Sequence, residues 1–417
     1  MINSLKQLII ITLSIVILTS CSNKEKVDES NPFFTEFNTP FNVPPFEIIM
    51  AKHYMPAFEK GMEEGRQGIE RIVSNREEPS FTNTIEALDR CDGLLIKVRD
   101  VFYAQAAANT NDSLQKIEIE ISPKLSEYSD EIKLNPELFK RIKHVYDNRS
   151  ESKLSPEQGY LLENLYKEFV RLGANLSKQD QDTLKKINQR LSVLTVKYDQ
   201  NVLAETNNYK LILEKDDLQG LPESLVASAE EAAGAAGLDG KYVFTTQRPS
   251  IFPFIQYSPD RELRRQIFNA YINRGNNGNE NDNNEILAEI IKLRAERAKL
   301  LGYRNHSDIV LEPRMAKEPE NVFDLLNNLW EKAIPVAKNE VREMQKIIDR
   351  EGGRFRLEPG DWWYYAEKLR KEKYDLDDEE LKPYFQLDNV REGAFTLANR
   401  LFGLTFSPLS GMPLPHP

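Results

Sequence analysis

The chain has 417 residues, of which 40 % are hydrophobic and 29 % are charged, an ordinary composition for a globular protein with one or two domains. The formal net charge is −11. Lysine and arginine are scattered among aspartate and glutamate and form no basic stripe, so nucleic acid is not expected as a partner.

The first 20 residues have the pattern of a lipoprotein signal peptide. Lys6 supplies a positive charge, and the apolar run at residues 8–18 is too short to cross a bilayer comfortably. Leu18-Thr19-Ser20-Cys21 looks like the bacterial lipoprotein box, in which the cysteine is lipidated and becomes the mature N-terminus. We therefore expect Cys21 to anchor the protein to a membrane of the bacterial cell envelope, facing the periplasm or the surface. The alternative is an ordinary signal peptide in which Cys21 has no role.

Cleavage at that point would leave Cys91 as the only unmodified cysteine, so no internal disulfide is expected. Cys91 lies in an apolar helical pattern with Leu88 and Leu95, which favours a small core residue over a reactive thiol. Residues 21–45 are polar and then rich in proline, phenylalanine and asparagine, and they are expected to form a tether.

From Phe46 onward the apolar spacing is mainly helical. Asn83 and Glu86 have the spacing of a capping box, which predicts a helix start at that point. Further helices are predicted at residues 55–72, 113–130, 135–148, 156–169 and 180–205. Two short runs differ from this pattern. Residues 209–213 alternate between apolar and polar side chains, and residues 242–246 are β-branched and aromatic. They predict two strands of a small hairpin-like sheet, with a short alanine-rich helix between them in the sequence.

Residues 258–302 predict two helices joined by a loop. Ser258 is expected to cap the first helix, with Pro259 at its first position. Residues 274–283 contain two glycines and five asparagines, which is typical of a loop. The second helix is apolar over much of its circumference, which predicts a buried helix in a packed hairpin. Gly302 is the expected C-terminal stop.

A long helix is predicted at residues 321–348, with a possible kink at Pro335. Its apolar residues are expected to point inward: Val322, Leu325, Leu326, Leu329, Ile334 and Val341. An aromatic run, residues 361–365 (DWWYY), follows. Such a run can line a peptide cleft or pack beneath a helix start, and we favour packing.

Nine segments of the sequence carry a family resemblance: 53–58 (HYMPAF), 79–84 (PSFTNT), 169–174 (FVRLGA), 257–264 (YSPDRELR), 270–275 (AYINRG), 293–303 (LRAERAKLLGY), 315–317 (MAK), 361–365 and 383–385 (PYF). These segments resemble the thimet oligopeptidase and bacterial peptidyl-dipeptidase family of zinc metallopeptidases. The resemblance covers nearly all residues after 45 and implies a mainly α fold, a neurolysin-like helical bundle with a small β insert. It also implies an N-terminal helical region at residues 46–330 and the start of a catalytic domain at residues 331–417.

The resemblance implies hydrolysis of short peptides, in a deep channel, by a zinc-bound water. That chemistry needs His-Glu-x-x-His on a helix, with both histidines as ligands, the glutamate as base and a later glutamate as a further ligand. The four histidines here are His53, His144, His306 and His416, and none is followed by Glu. We therefore expect zinc in the complete protein and no catalytic or metal-binding residues in this chain.

Two hypotheses follow. The first is the N-terminal part of a lipid-anchored zinc peptidase, a peptidyl-dipeptidase or oligopeptidase acting on short peptides, whose zinc-binding part is missing from a truncated sequence. In that case the chain by itself is inactive. The second is a helical peptide-binding lipoprotein without catalysis.

Overall fold

The structure, a computed structural model, describes residues 30–375 and 378–415. It is mainly helical, with one two-stranded antiparallel sheet, so the predicted fold class is confirmed. In chain order the main elements are α1 (Ala51–Val73), α2 (Gly93–Ala108), α3 (Asp112–Lys133), α4 (Pro136–Asp147), α5 (Pro156–Arg171), α6 (Lys178–Asn208), β1 (Leu211–Leu213), α7 (Glu223–Ala235), β2 (Tyr242–Phe244), α8 (Arg248–Tyr257), α9 (Arg261–Ile272), α10 (Asn284–Leu300), α11 (His306–Leu311), α12 (Pro319–Arg350), α13 (Trp362–Tyr374) and α14 (Leu387–Phe402).

Shorter helical turns occupy Pro32–Phe34, Pro40–Asn42, Phe81–Glu86, Ala87–Asp89, Lys215–Leu218, Pro359–Asp361, Asp378–Leu381 and Lys382–Tyr384. Among the described residues, no helix combines the length and the apolar character that a bilayer crossing requires. The contacts divide the chain into two units, residues 1–117 with 411–417 and residues 118–410. The expected domain boundary at residue 330 lies inside α12, within the second unit.

The first unit is built on close packing of α1 against α2. Gly61 faces the backbone of Leu95, and a Cβ at residue 61 would lie 2.9 Å from the Leu95 Cα. The ring of Phe102 lies 5.1 Å from Tyr54 and 5.5 Å from Phe58, with edge-on geometry in both pairs. Edge-on aromatic pairs add stability beyond the burial of their area, so these rings fix the register of the two helices.

Part of the segment expected to be a tether is packed into this unit. Phe33 is buried against Tyr54, with the ring centroids 5.4 Å apart. Asn31 is also buried and donates a hydrogen bond of 2.8 Å to the His53 carbonyl. Lys97 donates to the Thr35 carbonyl at 2.6 Å. The packed part of the unit therefore includes residues 31–37 as well as the helices that follow.

Two local predictions in the first unit need correction. The capping box lies one turn earlier than predicted, because Ser80 accepts from the Asn83 amide and Asn83 accepts from the Ser80 amide. Cys91 lies in the turn before α2 and not within a helix, and its thiol donates to the Ala87 carbonyl at 3.0 Å. Burial raises the pKa of the Cys91 thiol, which agrees with a packing role.

In the second unit, stacked aromatic rings join α4 to α5. Tyr146 and Tyr166 stack at 3.9 Å, and Phe139 stacks on Tyr166 at 5.9 Å. The long helix α6 packs along α10 through a small core of Leu194, Ile286 and Ile290. α6 and α10 thus form the central helical pair of this unit.

The predicted β insert is confirmed. Leu211 pairs with Phe244 and Leu213 with Tyr242 in antiparallel register. The buried faces of the two strands pack on α7 and on α8, where Phe244 and Phe254 lie 4.6 Å apart. Helix α8 was not predicted, because it has only 10 residues and contains Pro253, so its period is short and interrupted.

The predicted arrangement of residues 258–302 is partly wrong. Ser258 ends α8, and Asp260 caps α9 by accepting from the amides of Glu262 and Leu263. The predicted loop is confirmed, but the two helices do not form a hairpin. α9 packs on α8 and on the turn Pro359–Asp361, whereas α10 packs on α6. Leu287 and Ile291 of α10 are exposed, so that helix is buried on one side only.

The apolar face of α12 is also not directed inward as predicted. Its C-terminal third is buried through Met344, Ile347 and Ile348, which pack on α13. Along its N-terminal two-thirds the side chains are exposed in the part of the chain that the structure describes, and Trp330 is 67 % exposed. The helical period was read correctly, but periodicity identifies an apolar face without identifying what covers it.

We predict that Gly61→Ala lowers the free energy of unfolding by about 1–3 kcal/mol, because the added methyl group would push α1 away from the α2 backbone. The matched control is Gly159→Ala in α5, where no atom lies within 4 Å of the added carbon. That change should be neutral or stabilise by up to about 1 kcal/mol. Urea unfolding of both variants tests the packing, and equal stability of the two would contradict it.

Candidate functional site

The three histidines that the structure describes do not converge on a metal site. His53 is buried in α1, and its Nδ1 accepts from the Met50 amide at 3.0 Å. His144 lies in the last turn of α4, next to an ion pair between Lys143 and Asp147. His306 begins α11, and burial lowers its pKa together with the nearby charges of Arg294 and Arg297.

His416 and Cys21 lie outside the described residues, so the proposed lipidation site has no structural description. Within residues 30–375 and 378–415 no group of three or more His, Cys, Asp and Glu side chains is placed to hold a metal ion. A zinc site needs such a convergent donor set. The residues described here therefore do not fit the zinc that the family resemblance implies.

The structure instead brings together two segments that carry the resemblance, residues 257–264 and residues 361–365. Asp361 accepts from Arg261 Nη2 at 2.9 Å and from Arg264 Nη2 at 3.0 Å. Asp361 is fully buried and Arg264 is 1 % exposed. Glu358, half-exposed at the rim, pairs with Arg261 at 3.0 Å. We call these four residues the Asp361 cluster.

Aromatic rings and backbone carbonyls complete the Asp361 cluster. Arg264 Nη1 donates to the Ser258 carbonyl at 2.8 Å, and the guanidinium lies 4.2 Å from the Tyr364 ring centroid. Burial by itself would raise the pKa of Asp361, but hydrogen bonds from Arg261, the Glu358 amide and Arg264 hold that pKa below its usual value. The carboxylate thus stays ionised, and α9 is fixed to the start of α13.

The aromatic run at residues 361–365 packs into the core, as favoured from the sequence. Trp363 lies 5.6 Å from Phe252 and 6.0 Å from Phe268, so it joins α13 to α8 and α9. Tyr365 is buried with the C-terminal residues of α12. Trp362 also lines a pocket.

That pocket lies between α12 and α13 and has a volume of about 220 Å³. Met344, Trp362 and Leu369 form its apolar side. Arg370 and Lys373 line its charged side, and these two side chains pair with Glu367 and Glu343, both at 2.7 Å. Apolar surface beside fixed charges can accept a side chain together with a charged group of a peptide.

Two helices expose many large apolar side chains within the described residues. One face belongs to α12 and the other to α14 with the turn before it. Monomeric proteins rarely expose contiguous apolar patches larger than a few hundred Å², so a surface of this kind marks an interface. The exposed residues are Phe323, Leu325, Leu326, Leu329, Trp330, Val336 and Val341 on α12, and Tyr384, Phe385, Leu387, Val390, Leu397, Leu401 and Phe402 on or before α14.

Comparison with known proteins gives consistent matches. Residues 254–414 match the profile of Peptidase family M3. The chain is 37 % identical over 393 residues to dipeptidyl carboxypeptidase of Escherichia coli strain K12, covering 93 % of this chain and 57 % of that protein. It is 31 % identical over 384 residues to oligopeptidase A of the same organism, covering 91 % of this chain and 56 % of that protein. The chain thus spans little more than half the length of these relatives.

Similarity extends to a eukaryotic protein. Saccharolysin of Saccharomyces cerevisiae is 25 % identical over 343 residues, which cover 80 % of this chain and 47 % of that protein. Sequence reasoning identified the segments that resemble these peptidases. It did not find the Asp361 cluster, because Arg264 and Asp361 are 97 residues apart in the sequence and no local pattern links them.

We predict that Asp361→Asn lowers the free energy of unfolding by about 3–5 kcal/mol, because Arg264 would remain charged and buried without a carboxylate. The control is Glu289→Gln, which breaks an exposed ion pair with Arg190 and should leave the free energy of unfolding nearly unchanged. Urea unfolding monitored by circular dichroism compares the two. A loss for Asp361→Asn no larger than that of the control would show that the cluster contributes little to stability.

Proposed function

The chain belongs to the thimet oligopeptidase and peptidyl-dipeptidase family, peptidase family M3, and on that premise we propose that it is the N-terminal part of a lipid-anchored zinc metallopeptidase acting on short peptides. The observation that carries the proposal is the 37 % identity to a dipeptidyl carboxypeptidase over 93 % of this chain. The identity to oligopeptidase A supports the same substrate class.

The zinc-binding part of the whole protein lies, in this proposal, outside the 417 residues. The sequence has no His-Glu-x-x-His, and its four histidines are far apart. The described residues offer no convergent donor set. The chain spans 57 % of dipeptidyl carboxypeptidase, which leaves 43 % of that relative unmatched and long enough to hold such a site.

The part present would contribute substrate contacts and an interface. The pocket between α12 and α13 combines Trp362 and Met344 with Arg370 and Lys373, a lining that can accept one side chain and a charged group of a short peptide. The exposed apolar faces of α12 and α14 would pack against the remainder of the whole protein. Burying apolar surface of this kind contributes roughly 25 cal/mol per Å².

A second function is a helical peptide-binding lipoprotein without catalysis. The specific observation in its favour is the pocket between α12 and α13, in a sequence that lacks His-Glu-x-x-His. The two functions differ in one measurable property. The non-catalytic protein would bind short peptides in its 417-residue form and would gain no hydrolytic activity from any longer product of the same gene.

We predict that the precursor is cleaved before Cys21 and acylated on that residue. The basis is the lipoprotein-box sequence after a short apolar run. Cells that express the wild-type chain or Cys21→Ala are labelled with a palmitate analogue, and the purified proteins are compared. Label should appear in the wild type alone. Cys91→Ala serves as the control and should keep the label, and equal labelling of wild type and Cys21→Ala would contradict the prediction.

We predict that the purified 417-residue chain binds no stoichiometric zinc and cleaves no peptide. Metal content is measured after dialysis against zinc, and turnover is followed with a quenched fluorescent oligopeptide. A longer product that contains the zinc-binding part should bind about one zinc and be inhibited by a chelator. Chelator-sensitive turnover by the 417-residue chain would show that a metal site exists within it.

A further inference from the structure

A second pocket, in the second unit, is lined by a partly buried arginine that forms no direct ion pair within the described residues. This arginine is Arg297 of α10, and its Nε is buried and has no hydrogen-bond partner among the described residues. The guanidinium also forms no ion pair with a described carboxylate. Asp130 acts on it only through its charge, without a direct ion pair, and natural proteins normally pair charged groups that are removed from water. The unpaired Arg297 therefore points to an anionic group supplied from outside the chain.

Another part of the pocket wall is anionic. Asp130 of α3 is 9 % exposed and accepts from Asn188 Nδ2 at 2.8 Å. The other side-chain atom of this amide, Asn188 Oδ1, is buried and has no hydrogen-bond partner within the described residues. Asn188 Oδ1 is therefore a free hydrogen-bond acceptor next to the Asp130 carboxylate, and the two groups together favour a positively charged donor.

The charged groups near Asp130 keep the carboxylate ionised at neutral pH. Burial raises the pKa of Asp130 to about 6, and the Asn188 hydrogen bond and the charges of Lys185 and Arg297 oppose that rise. The other cation of the pocket, Lys133, is already paired with Glu168 at 2.9 Å. Above pH 7 the pocket thus contains one anion and one cation that do not form an ion pair with each other.

The size of the pocket limits what it can hold. Its volume is about 220 Å³. That volume is several times the roughly 30 Å³ that one water occupies, and below the roughly 300–1,000 Å³ of pockets for drug-sized ligands. Its polar lining consists of Ser126, Ser129, Asp130, Lys133, Asn188 and Arg297.

We propose that this pocket binds a small free α-amino acid, with the carboxylate on Arg297 and the ammonium group on Asp130 and Asn188 Oδ1. A zwitterion supplies the opposite charge to each wall at once. A simple anion would pair with Arg297 but would be repelled by Asp130. A simple cation would pair with Asp130 but would be repelled by Arg297. The inference goes beyond the proposed peptidase function and does not depend on it.

The test is isothermal titration of the purified full chain at pH 7.5 with four separate probes: glycine, acetate, methylammonium and inorganic phosphate. Glycine should bind saturably, and acetate and methylammonium should each bind at least about tenfold more weakly, because each satisfies one wall only. Phosphate or acetate binding as tightly as glycine would identify an anion site and overturn the proposal. Absence of glycine binding would overturn it as well.

Substitutions of Arg297 and Asp130 test the role of each residue in glycine binding. Arg297→Met and Asp130→Asn should each weaken glycine binding at least about tenfold. The matched control is Arg190→Met on the neighbouring helix α6, where the arginine is exposed and paired with Glu289, and its glycine affinity should stay within about twofold of wild type. Unchanged affinity in both pocket variants would contradict the proposal. If a variant fails to fold by circular dichroism, the comparison of the four probes on wild type decides the question.

Discussion

The Asp361 cluster is the interaction on which the arrangement of the second unit depends. One buried carboxylate accepts from two arginines of α9, and the inner arginine also donates to the Ser258 carbonyl at the end of α8. Burying these charges is costly, and the cost is offset only when every hydrogen bond is present. The cluster therefore specifies one relative position of α8, α9 and the start of α13.

The position of α13 in turn determines the candidate peptide pocket. Trp363 follows Asp361 by two residues and packs on Phe252 and Phe268. The neighbouring Trp362 lines the pocket together with α12.

The hydrogen bonds of Arg264 in the Asp361 cluster can be compared with those of Arg297 in the second pocket. Both arginines have a buried Nε without a hydrogen-bond partner within the described residues. Arg264 nevertheless donates from its Nη atoms to a carboxylate and to a backbone carbonyl, whereas Arg297 forms no direct ion pair in that part of the chain. We therefore assign Arg264 to structure and Arg297 to binding.

Much of the fold could be predicted from local patterns, because helical periods, strand alternation and loop composition are local properties. The sequence predicts Ser258 as the cap, but Asp260 has that role in the structure. Both are good capping residues on either side of Pro259, so only packing decides between them. The exposed face of α12 could not be predicted, since a period does not identify a partner. The pairs Arg264–Asp361 and Asn188–Asp130 join residues far apart in the sequence, so the pockets and the cluster needed the structure.

The central claim is that these helices form part of a zinc peptidase whose metal ligands lie outside the 417 residues. The most direct measurement is to sequence the gene beyond the codon for Pro417 and to express the full product. The account predicts a His-Glu-x-x-His followed by a later glutamate, in a segment that covers the apolar faces of α12 and α14. A stop codon directly after Pro417, with a 417-residue product that is monomeric and folds cooperatively, would contradict it.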